Sequence, residues 1–365
     1  MESKNRRMPA EWEHQRCVQL TWPHAQTDWA PMLADITRVY QQIALEISKR
    51  EELLIVAPAE AMHAVQQATA TNVRPPRILT CPTNDTWARD HGFITVVDST
   101  ASTQQATSPI LLDFCFNGWG EKFPADLDNQ INRRLYDQGL LSGTYESHLD
   151  FVLEGGSIES DGCGTVFTTA CCLLAPHRNQ PLGKEQIEAR LKQYLGAQRI
   201  VWLQHGSLIG DDTDGHIDTL VRICPDDTLL YTAGDADHPD LARLEQELTT
   251  LRTLSGQPYR LLRLPLPRPI YSPLLPPLRG GGSQHNTPPP FGEGWGEAER
   301  LPATYANYLV INGAVLVPTY GQPDLDRQAI DVIRQAYPHR DIVGIDCQPV
   351  IRQHGSLHCC TMQYY

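Results

Sequence analysis

Apolar residues along this chain recur in two alternating patterns, one with helical and one with strand spacing. Between residues 32 and 47, apolar side chains fall at three- and four-residue steps, which predicts an amphipathic helix. The apolar run at 53–57 predicts a strand directly after this helix. Strand–helix–strand alternation of this kind is typical of an α/β fold. The same reasoning predicts further strands over 77–80, 93–97, 109–116 and 199–203, and further helices over 187–195 and 329–336.

Glycine and proline separate these elements. The dipeptide Asp161-Gly162 lies between two apolar runs, and it predicts a β-hairpin because Asp-Gly tolerates the positive φ angle of a tight turn. Gly196 follows the last apolar position of the 187–195 helix and should end it. The segment 272–299 is dense in Pro and Gly without a usable period, so we interpret it as a loop inserted into a single domain spanning 1–365.

Composition restricts the classes of partner. The formal net charge of −13 argues against a nucleic-acid surface or an anionic membrane, and it mildly favours a small cationic ligand. The N-terminus lacks the apolar region of a signal peptide, and no stretch reaches the ~18 apolar residues of a membrane helix. We therefore expect a cytoplasmic protein with reduced cysteines, none at the spacing of a metal or redox site. A homo-oligomer is compatible with the sequence.

Five chemically distinctive side chains lie in or beside apolar, strand-like segments: Asp90, Glu154, His216, Asp218 and Cys359. Charges in such places are costly unless they are paired, so each requires an explanation. Taken singly, each has a structural explanation, such as a turn cap, a surface carboxylate, a hydrogen-bonded core histidine or a packed core cysteine. The type of residue alone therefore does not decide between structure and function.

The spacing of these residues is more informative. Asp90, Glu154 and His216 follow one another at intervals of 64 and 62 positions. Cys359 lies about two further intervals along the chain once the insertion is discounted. A chain of five comparable units would deliver a polar group from a like position in four of them. A pseudo-symmetric ring converges side chains on its axis in this way.

Neighbouring residues add local arguments. If TDGHID forms a strand, His216 and Asp218 point to one face and can reach the same ligand. By the same alternation His358 and Cys359 point to opposite faces, which argues against His358 as the base for its neighbour. Gly155 and the glycine after it would let a flat ligand approach the backbone closely.

Carboxylates beside a cysteine indicate the charge of the ligand. Anions raise the pKa of a thiol and weaken it as a nucleophile, so a cysteine protease has no use for them. A planar guanidinium reverses this objection, since it binds carboxylates in bidentate forks and its charge favours the thiolate. Two other readings stay open: a metal site formed by His216, Asp218 and Cys359, and a scaffold without catalytic activity.

Six motifs carry a family resemblance: WARDHG, LEGGSIESDGCGT, TDGHID, FNGWGEKFP, PATYANYLVING with VPTY, and GSLHCCTMQ. Together, and in this order, they resemble the agmatine deiminase and bacterial-type peptidylarginine deiminase family over nearly the whole chain outside the insertion. The resemblance implies a five-bladed, pseudo-symmetric α/β propeller (the pentein fold) with neither a metal nor an organic cofactor.

The resemblance also implies residue roles. Cys359 would be the nucleophile, and His216 would protonate the departing ammonia and then activate the hydrolytic water. Asp90 and Asp218 would clamp the guanidinium nitrogens. Glu154 would assist His216 or the substrate.

Further assignments concern the rest of the pocket. Cys360 is the rival nucleophile by adjacency. Trp87 and Gly155 are expected to line the substrate pocket, and Asp212 or Asp214 to meet a distal cationic group. We expect hydrolysis of agmatine to N-carbamoylputrescine and ammonia, with deimination of peptidyl-arginine as the alternative. The terminal QHGSLHC departs from the usual agmatine-specific pattern, which bears on the substrate more than on the reaction.

Overall fold

The computed structural model describes residues 6–98, 108–234, 236–272 and 298–365. Within these residues the strands form five small sheets. The strands are β1 (Arg6–Arg7), β2 (Cys17–Thr21), β3 (Glu52–Ala57), β4 (Arg77–Thr80), β5 (Ile94–Asp98), β6 (Ile110–Cys115), β7 (Thr144–Val152), β8 (Ile158–Ser160), β9 (Thr165–Thr169), β10 (Arg199–Leu203), β11 (Val221–Cys224), β12 (Thr228–Thr232), β13 (Arg260–Leu264), β14 (Leu309–Ile311), β15 (Ala314–Thr319), β16 (Asp341–Asp346) and β17 (Thr361–Tyr364). The helices are α1 (Leu33–Ser48), α2 (Met62–Ala68), α3 (Ala88–His91), α4 (Gly118–Glu121), α5 (Ile131–Asp137), α6 (Ala170–Leu173), α7 (Lys184–Leu195), α8 (Pro239–Thr250) and α9 (Pro323–Ala336).

The five sheets repeat one ββαβ unit. In the unit of β8, β9 and β10, the first two strands are antiparallel, and the third is parallel to the second after the crossover through α6 and α7. Parallel neighbours require such a crossover. The same order recurs in β5–β6–α5–β7, in β11–β12–α8–β13 and in β14–β15–α9–β16. The five-unit α/β architecture predicted from the sequence is confirmed.

The fifth unit is completed by the C-terminal strand. β17 pairs antiparallel with β2, which is parallel to β3 after the crossover through α1. This unit therefore combines the C-terminal strand of the chain with its N-terminal strands in one sheet. The turn immediately before β17 is consequently fixed against the N-terminal part of the chain.

The predicted elements form for the predicted reasons. Helix α1 buries the stripe that contains Ile36, Tyr40, Ile43 and Ile47, and β3 is apolar because both of its faces are covered. Helix α7 ends at Gly196, whose φ of 70° lies in the left-handed region. None of the helices in the described part of the chain is long and apolar enough to cross a lipid bilayer.

Most of the predicted insertion, 273–297, lies outside the described residues. Its two ends are adjacent: the Ser272 backbone N–H donates to the Glu299 carbonyl across 2.8 Å, and Tyr271 and Arg300 form an isolated β-bridge. The described residues on either side of 273–297 therefore lie next to each other, between β13 and β14.

The prediction of a strand at TDGHID is wrong. His216 precedes a 3-10 turn, Ile217–Thr219, and the residues before it form a loop. The cause is local hydrogen bonding, because the Asp211 carboxylate accepts from the Thr213 hydroxyl at 2.6 Å and from the Gly215 backbone N–H at 2.7 Å. Short polar side chains that bond nearby backbone groups favour turns over strands.

The strand predicted at His358 and Cys359 is also wrong, since both residues lie in the turn before β17. The argument that His358 is not the base for Cys359 rests instead on its hydrogen-bond partners. Its Nδ1 lies 2.7 Å from Asp218 Oδ2 and its Nε2 lies 2.7 Å from Glu11 Oε1. Both ring nitrogens are thus engaged by carboxylates.

Candidate active site

The structure brings the predicted site residues to one place in each repeat, namely the connection that precedes the first strand of the unit. Asp90 lies before β5, Glu154 before β8, and Cys359 before β17. His216 and Asp218 lie together before β11. All five side chains are buried. The spacing in the sequence therefore reflects a structural repeat.

The remaining unit contributes Asn307, which lies two residues before β14. Its Oδ1 accepts from the backbone N–H of His358 at 2.9 Å and lies 3.4 Å from both the backbone nitrogen and Sγ of Cys359. The sequence analysis missed Asn307 because a neutral amide in an apolar segment was not counted as a costly charge. Its place before the first strand of the fourth repeat, within the PATYANYLVING motif, was the available signal.

Three of the polar side chains surround Gly156. A Cβ atom at this residue would lie 2.6 Å from His216 Nδ1, 3.0 Å from Asp90 Oδ1 and 3.2 Å from Asp218 Oδ2. Only glycine leaves room for this convergence. The predicted pocket residue Gly155 faces elsewhere, since its Cβ would lie 2.2 Å from the carbonyl oxygen of Arg89 and the residue lines a different cavity. The glycine at the site is therefore Gly156 rather than Gly155.

A pocket with about 460 Å³ of empty space, measured to its open mouth, has Asp90 and Cys359 in its wall. Trp87 and Trp119 form aromatic walls, with ring centroids 6.3 Å apart. Trp119 adopts a φ of 58°, a conformation that non-glycine residues rarely take, and its Nε1 donates to Asp90 Oδ2 across 3.0 Å. Trp87, which we expect to line the substrate pocket, lies in the wall of this cavity.

The outer part of the pocket is acidic. Asp28, Asp85 and Asp212 all line it. The Asp85 carboxylate accepts from Trp87 Nε1 at 2.9 Å, which fixes the indole, and burial raises the pKa of Asp85 to about 6. The pocket thus has three acidic side chains besides that of Asp90, each less buried than Asp90, and this favours a cationic ligand.

The two carboxylates assigned to the guanidinium differ in their acidity. Burial raises the pKa of Asp90 to about 6, and repulsion from Asp218 and Glu154 adds to the rise. Burial would also raise the pKa of Asp218, but its hydrogen bond to His358 and the charge of that ring hold it below its usual value. Asp218 is thus the more permanent anion of the pair.

The predicted base and nucleophile are shifted by the same anions. Burial acts to lower the pKa of His216, but Asp90, Glu154 and Asp218 outweigh it, so the pKa is raised. Burial, followed by the charges of Asp218 and Asp90, raises the pKa of the Cys359 thiol well above its ordinary value. In the free protein, therefore, the thiol is the stable form of Cys359.

Arg178, which the sequence analysis did not select, compensates two predicted carboxylates. Its Nε donates to Glu154 Oε1 at 3.0 Å, and its Nη1 donates to Asp214 Oδ2 at 2.6 Å. Lys122 Nζ adds a second cation 2.9 Å from Asp214 Oδ1. Glu154 and Asp214 consequently meet cations of the protein itself, whereas Asp212 lies in the pocket wall.

One group of residues near the site has the composition of a metal site. Glu154, Cys172 and His216 place their ligand atoms within 4.8 Å of one another. Both carboxylate oxygens of Glu154 accept from Arg178 Nε, at 3.0 and 3.3 Å. Because a fixed guanidinium already neutralises this carboxylate, we assign the group no metal.

Similar proteins cover the chain from end to end. The agmatine deiminase of Stutzerimonas stutzeri is 32% identical over 370 residues, which is 98% of this chain and 94% of that protein. A crystal structure from Porphyromonas gingivalis, provisionally described as an arginine deiminase, is 43% identical with a TM-score of 0.83 and 98% coverage of both chains. The agmatine deiminase of C. jejuni, solved with substrate bound, is 33% identical with a TM-score of 0.82 and covers 99% of this chain and 96% of its own.

Five ββαβ units with acidic, histidine and cysteine side chains before their first strands define a pentein-fold hydrolase that acts on guanidino C–N bonds. The chain can also be assigned to a protein family. The model of the Porphyromonas-type peptidyl-arginine deiminase family matches residues 7–364, and the chain belongs to that family.

Proposed function

We propose that the chain deiminates a small free guanidine, with agmatine as the first candidate, and that Cys359 is the nucleophile. The observation that carries the proposal is a set of unsatisfied buried atoms. Among the described residues, both ring nitrogens of His216 and Oδ1 of Asp218 are buried without a hydrogen-bond partner. Such groups are costly unless a ligand pairs with them. A planar cation with several N–H donors fits the carboxylate, and its leaving nitrogen fits the imidazole.

The charges of the site suggest how the thiol becomes reactive. A guanidinium between Asp90 and Asp218 offsets the two anions that raise the pKa of Cys359. Bound substrate therefore promotes loss of the thiol proton, and the free enzyme is protected from unwanted alkylation. Asn307 Oδ1, 3.4 Å from Sγ, orients the sulfur.

The reaction then proceeds in two halves. The thiolate of Cys359 forms a bond to the guanidinium carbon, and His216 gives a proton to one amino nitrogen, which leaves as ammonia. In the resulting amidino-cysteine the carbon is bound to sulfur. His216 removes a proton from water as the oxygen attacks that carbon, the C–S bond breaks, and the ureido product leaves. Glu154, paired with Arg178, supports the cationic form of His216.

Agmatine is favoured by the acidic outer pocket. The far end of agmatine is an ammonium group, and Asp28, Asp85 and Asp212 line the pocket beyond the reacting groups. The same anions repel the carboxylate of free arginine. Peptidyl-arginine is the second candidate, favoured by the match to the peptidyl-arginine deiminase family model.

Ammonia release separates these candidates. Purified protein is assayed with agmatine, arginine and an arginine peptide blocked at both ends, using the Cys359→Ala variant as the blank. Turnover of agmatine at a much higher kcat/KM than of the peptide supports the proposal. Preference for the peptide would replace agmatine by the second candidate, and no ammonia from any guanidine would reject the reaction.

A further inference from the structure

Charged side chains of alternating sign lead from the predicted clamp residue Asp218 into the interior. His358 Nδ1 lies 2.7 Å from Asp218 Oδ2, and His358 Nε2 lies 2.7 Å from Glu11 Oε1. Arg222 Nη2 donates to Glu11 Oε2 at 2.5 Å, and Arg222 Nε donates to Glu159. We call Asp218, His358 and Glu11 the carboxylate–histidine relay.

The relay is enclosed by protein. The side chains of Asp218, His358 and Arg222 are at most 1% exposed, and that of Glu11 is 14% exposed. Arg89 Nη1 also approaches Glu11 Oε1, at 3.4 Å. Charges in such surroundings interact strongly because little water screens them.

The geometry indicates the protonation state of His358. A carboxylate oxygen lies 2.7 Å from each of its ring nitrogens, a distance that requires a proton in both contacts. Glu11 is held ionised, since burial opposes ionisation of this carboxyl but the nearby charges of His358, Arg222 and Arg89 outweigh it and lower its pKa. Burial and the charges of Arg222, whose Nη2 lies 3.2 Å from His358 Nε2, and of Arg89 lower the pKa of His358, against the opposing effects of Glu11 and Asp218. Because both carboxyls are ionised, however, only a ring with two N–H groups can make both 2.7 Å contacts, one to each carboxylate.

The two carboxylate oxygens of Asp218 have different surroundings. Oδ2 of Asp218 is held by His358, whereas Oδ1 has no hydrogen-bond partner among the described residues. His358 is also the residue before Cys359, and both backbone N–H groups approach Asn307 Oδ1. A shift of the His358 ring would move the clamp and the nucleophile together.

We propose that Glu11 is a positioning residue that holds His358 as a doubly protonated bridge and thereby fixes and charges Asp218 for the guanidinium. The role of Asp218 in binding the guanidinium rests on the proposed function, whereas the protonation state of His358 is independent of that function. Glu11, from the N-terminal segment before β2, thus supports substrate binding although it touches no substrate.

The first experiment removes the charge of Glu11 and keeps its shape. In Glu11→Gln the bridge loses its outer anion, so His358 gives up a proton and Asp218 is less well held and less acidic. We expect KM for agmatine to rise about 10-fold, the size of one pKa unit, with a smaller change in kcat. A second acidic limb of kcat/KM, at lower pH than the fall that Asp90 causes near pH 6, should move to higher pH, because the Asp218 anion would be lost sooner as the pH falls.

Several charged groups could contribute to that pH profile. Asp218, Glu11, Arg222 and Arg89 act on His358. His216 and Asp90 act on Asp218 from the substrate side, as does the thiol of Cys359 when it ionises, and Asp90 itself has a pKa of about 6. A matched control separates the relay from general effects of charge. Glu13 lies on the same segment and pairs with Arg7 outside the relay. Glu13→Gln should leave KM and the acidic limb unchanged.

The second experiment observes His358 directly and needs no variant of Glu11. Nitrogen-15 spectra of histidine-labelled wild-type protein, assigned with His358→Gln, should show two protonated ring nitrogens at neutral pH. Glu11→Gln should show one protonated and one bare nitrogen. A bare nitrogen on His358 in the wild type would overturn the inference, and so would equal KM shifts in Glu11→Gln and Glu13→Gln. If the wild type deiminates no guanidine, the proposed function fails, whereas the spectra still decide the state of His358.

Discussion

Arg178 Nε donates to Glu154 Oε1 across 3.0 Å, and neither side chain is exposed to solvent. The sequence alone allows Glu154 to assist either His216 or the substrate. With a cation of the protein bound to it, Glu154 is better suited to act on His216, whose pKa it helps to raise. The carboxylates of the site thus fall into two groups. Glu154 and Asp214 are matched by the fixed cation of Arg178, whereas Asp90 meets the neutral N–H groups of Trp119 and Gly156 and the titratable ring of His216, 3.7 Å away.

Removal of Arg178 should destabilise the fold. Arg178→Gln leaves Glu154 buried without its counter-ion, which we expect to cost about 3–5 kcal/mol in the free energy of unfolding. Urea denaturation measures this loss. Arg133→Gln is the matched control, because Arg133 pairs with Asp137 on the surface, where water screens the pair and its loss should change stability little.

A double variant tests the physical cause. Adding Glu154→Gln to Arg178→Gln removes the stranded charge and should restore part of the stability. Equal losses in the single and double variants would show that Arg178 acts through packing or through Asp214 instead.

Ligand binding should depend on the ionisation of Asp90. Its pKa of about 6 means that the carboxylate is charged above this pH and neutral below it, while a guanidinium stays charged throughout. In the inactive Cys359→Ala background, the affinity for agmatine should therefore fall as the pH drops through about 6, approaching ~10-fold per pH unit. Calorimetry between about pH 5 and pH 8 gives the profile.

Asp90→Asn in the same background should bind weakly and with a flatter profile, because the titrating anion is gone. The neighbouring His216 also gains charge as the pH falls. A profile that keeps its shape without Asp90 would assign the titration to His216 and contradict the role given to Asp90.

The two adjacent cysteines should behave differently. Cys359 lies in the pocket wall, whereas Cys360 is fully buried in an apolar cluster and burial raises its pKa to about 12. Cys359→Ala should lower kcat by more than about 10³-fold. Cys360→Ala should keep most activity and lose about 1 kcal/mol of stability. Intact-protein mass spectrometry of a slow His216 variant with substrate should place an amidino adduct on Cys359, and an adduct on Cys360 would reverse the assignment.

Local sequence patterns were sufficient to predict the α/β architecture. Apolar spacing identified α1 and β3, and Gly196 ended α7 where its left-handed conformation does. The similar intervals between Asp90, Glu154 and His216 reflected the repeat because each unit presents the residues before its first strand. These signals are short-range or periodic, so one sequence contains them.

The missed residues depend on contacts between distant parts of the chain. Arg178 meets Asp214 from 36 positions away, and Glu11 meets His358 from 347 positions away. Nothing in the local sequence indicates such pairs, since either residue alone could be a solvated charge. The strand assigned to TDGHID failed for the opposite reason. Hydrogen bonds from the side chain of Asp211 to nearby groups determined the backbone there, and apolar alternation did not reveal them.

The last prediction concerns recognition of the far end of the substrate. Asp212 and Asp214 were both candidates for a distal cation, and the structure gives them different surroundings. Asp214 is bound by Arg178 at 2.6 Å and by Lys122 at 2.9 Å, so its charge is already matched. Asp212 lines the pocket, and Lys122 meets only its backbone carbonyl. Asp212 is therefore the better partner for an ammonium group.

Asp212→Asn should raise KM for agmatine about 5-fold, the equivalent of ~1 kcal/mol for a partly screened pair. It should leave KM for propylguanidine unchanged, since that substrate has the reacting group but no amine. Asp214→Asn serves as the comparison, because loss of a carboxylate already bound by two protein cations should affect both substrates alike. Steady-state ammonia release with the two guanidines measures the difference. If Asp212→Asn changes KM equally for the two guanidines, the outer carboxylates do not bind the amine. A peptide-bound arginine, which needs no such contact, then becomes the better candidate substrate.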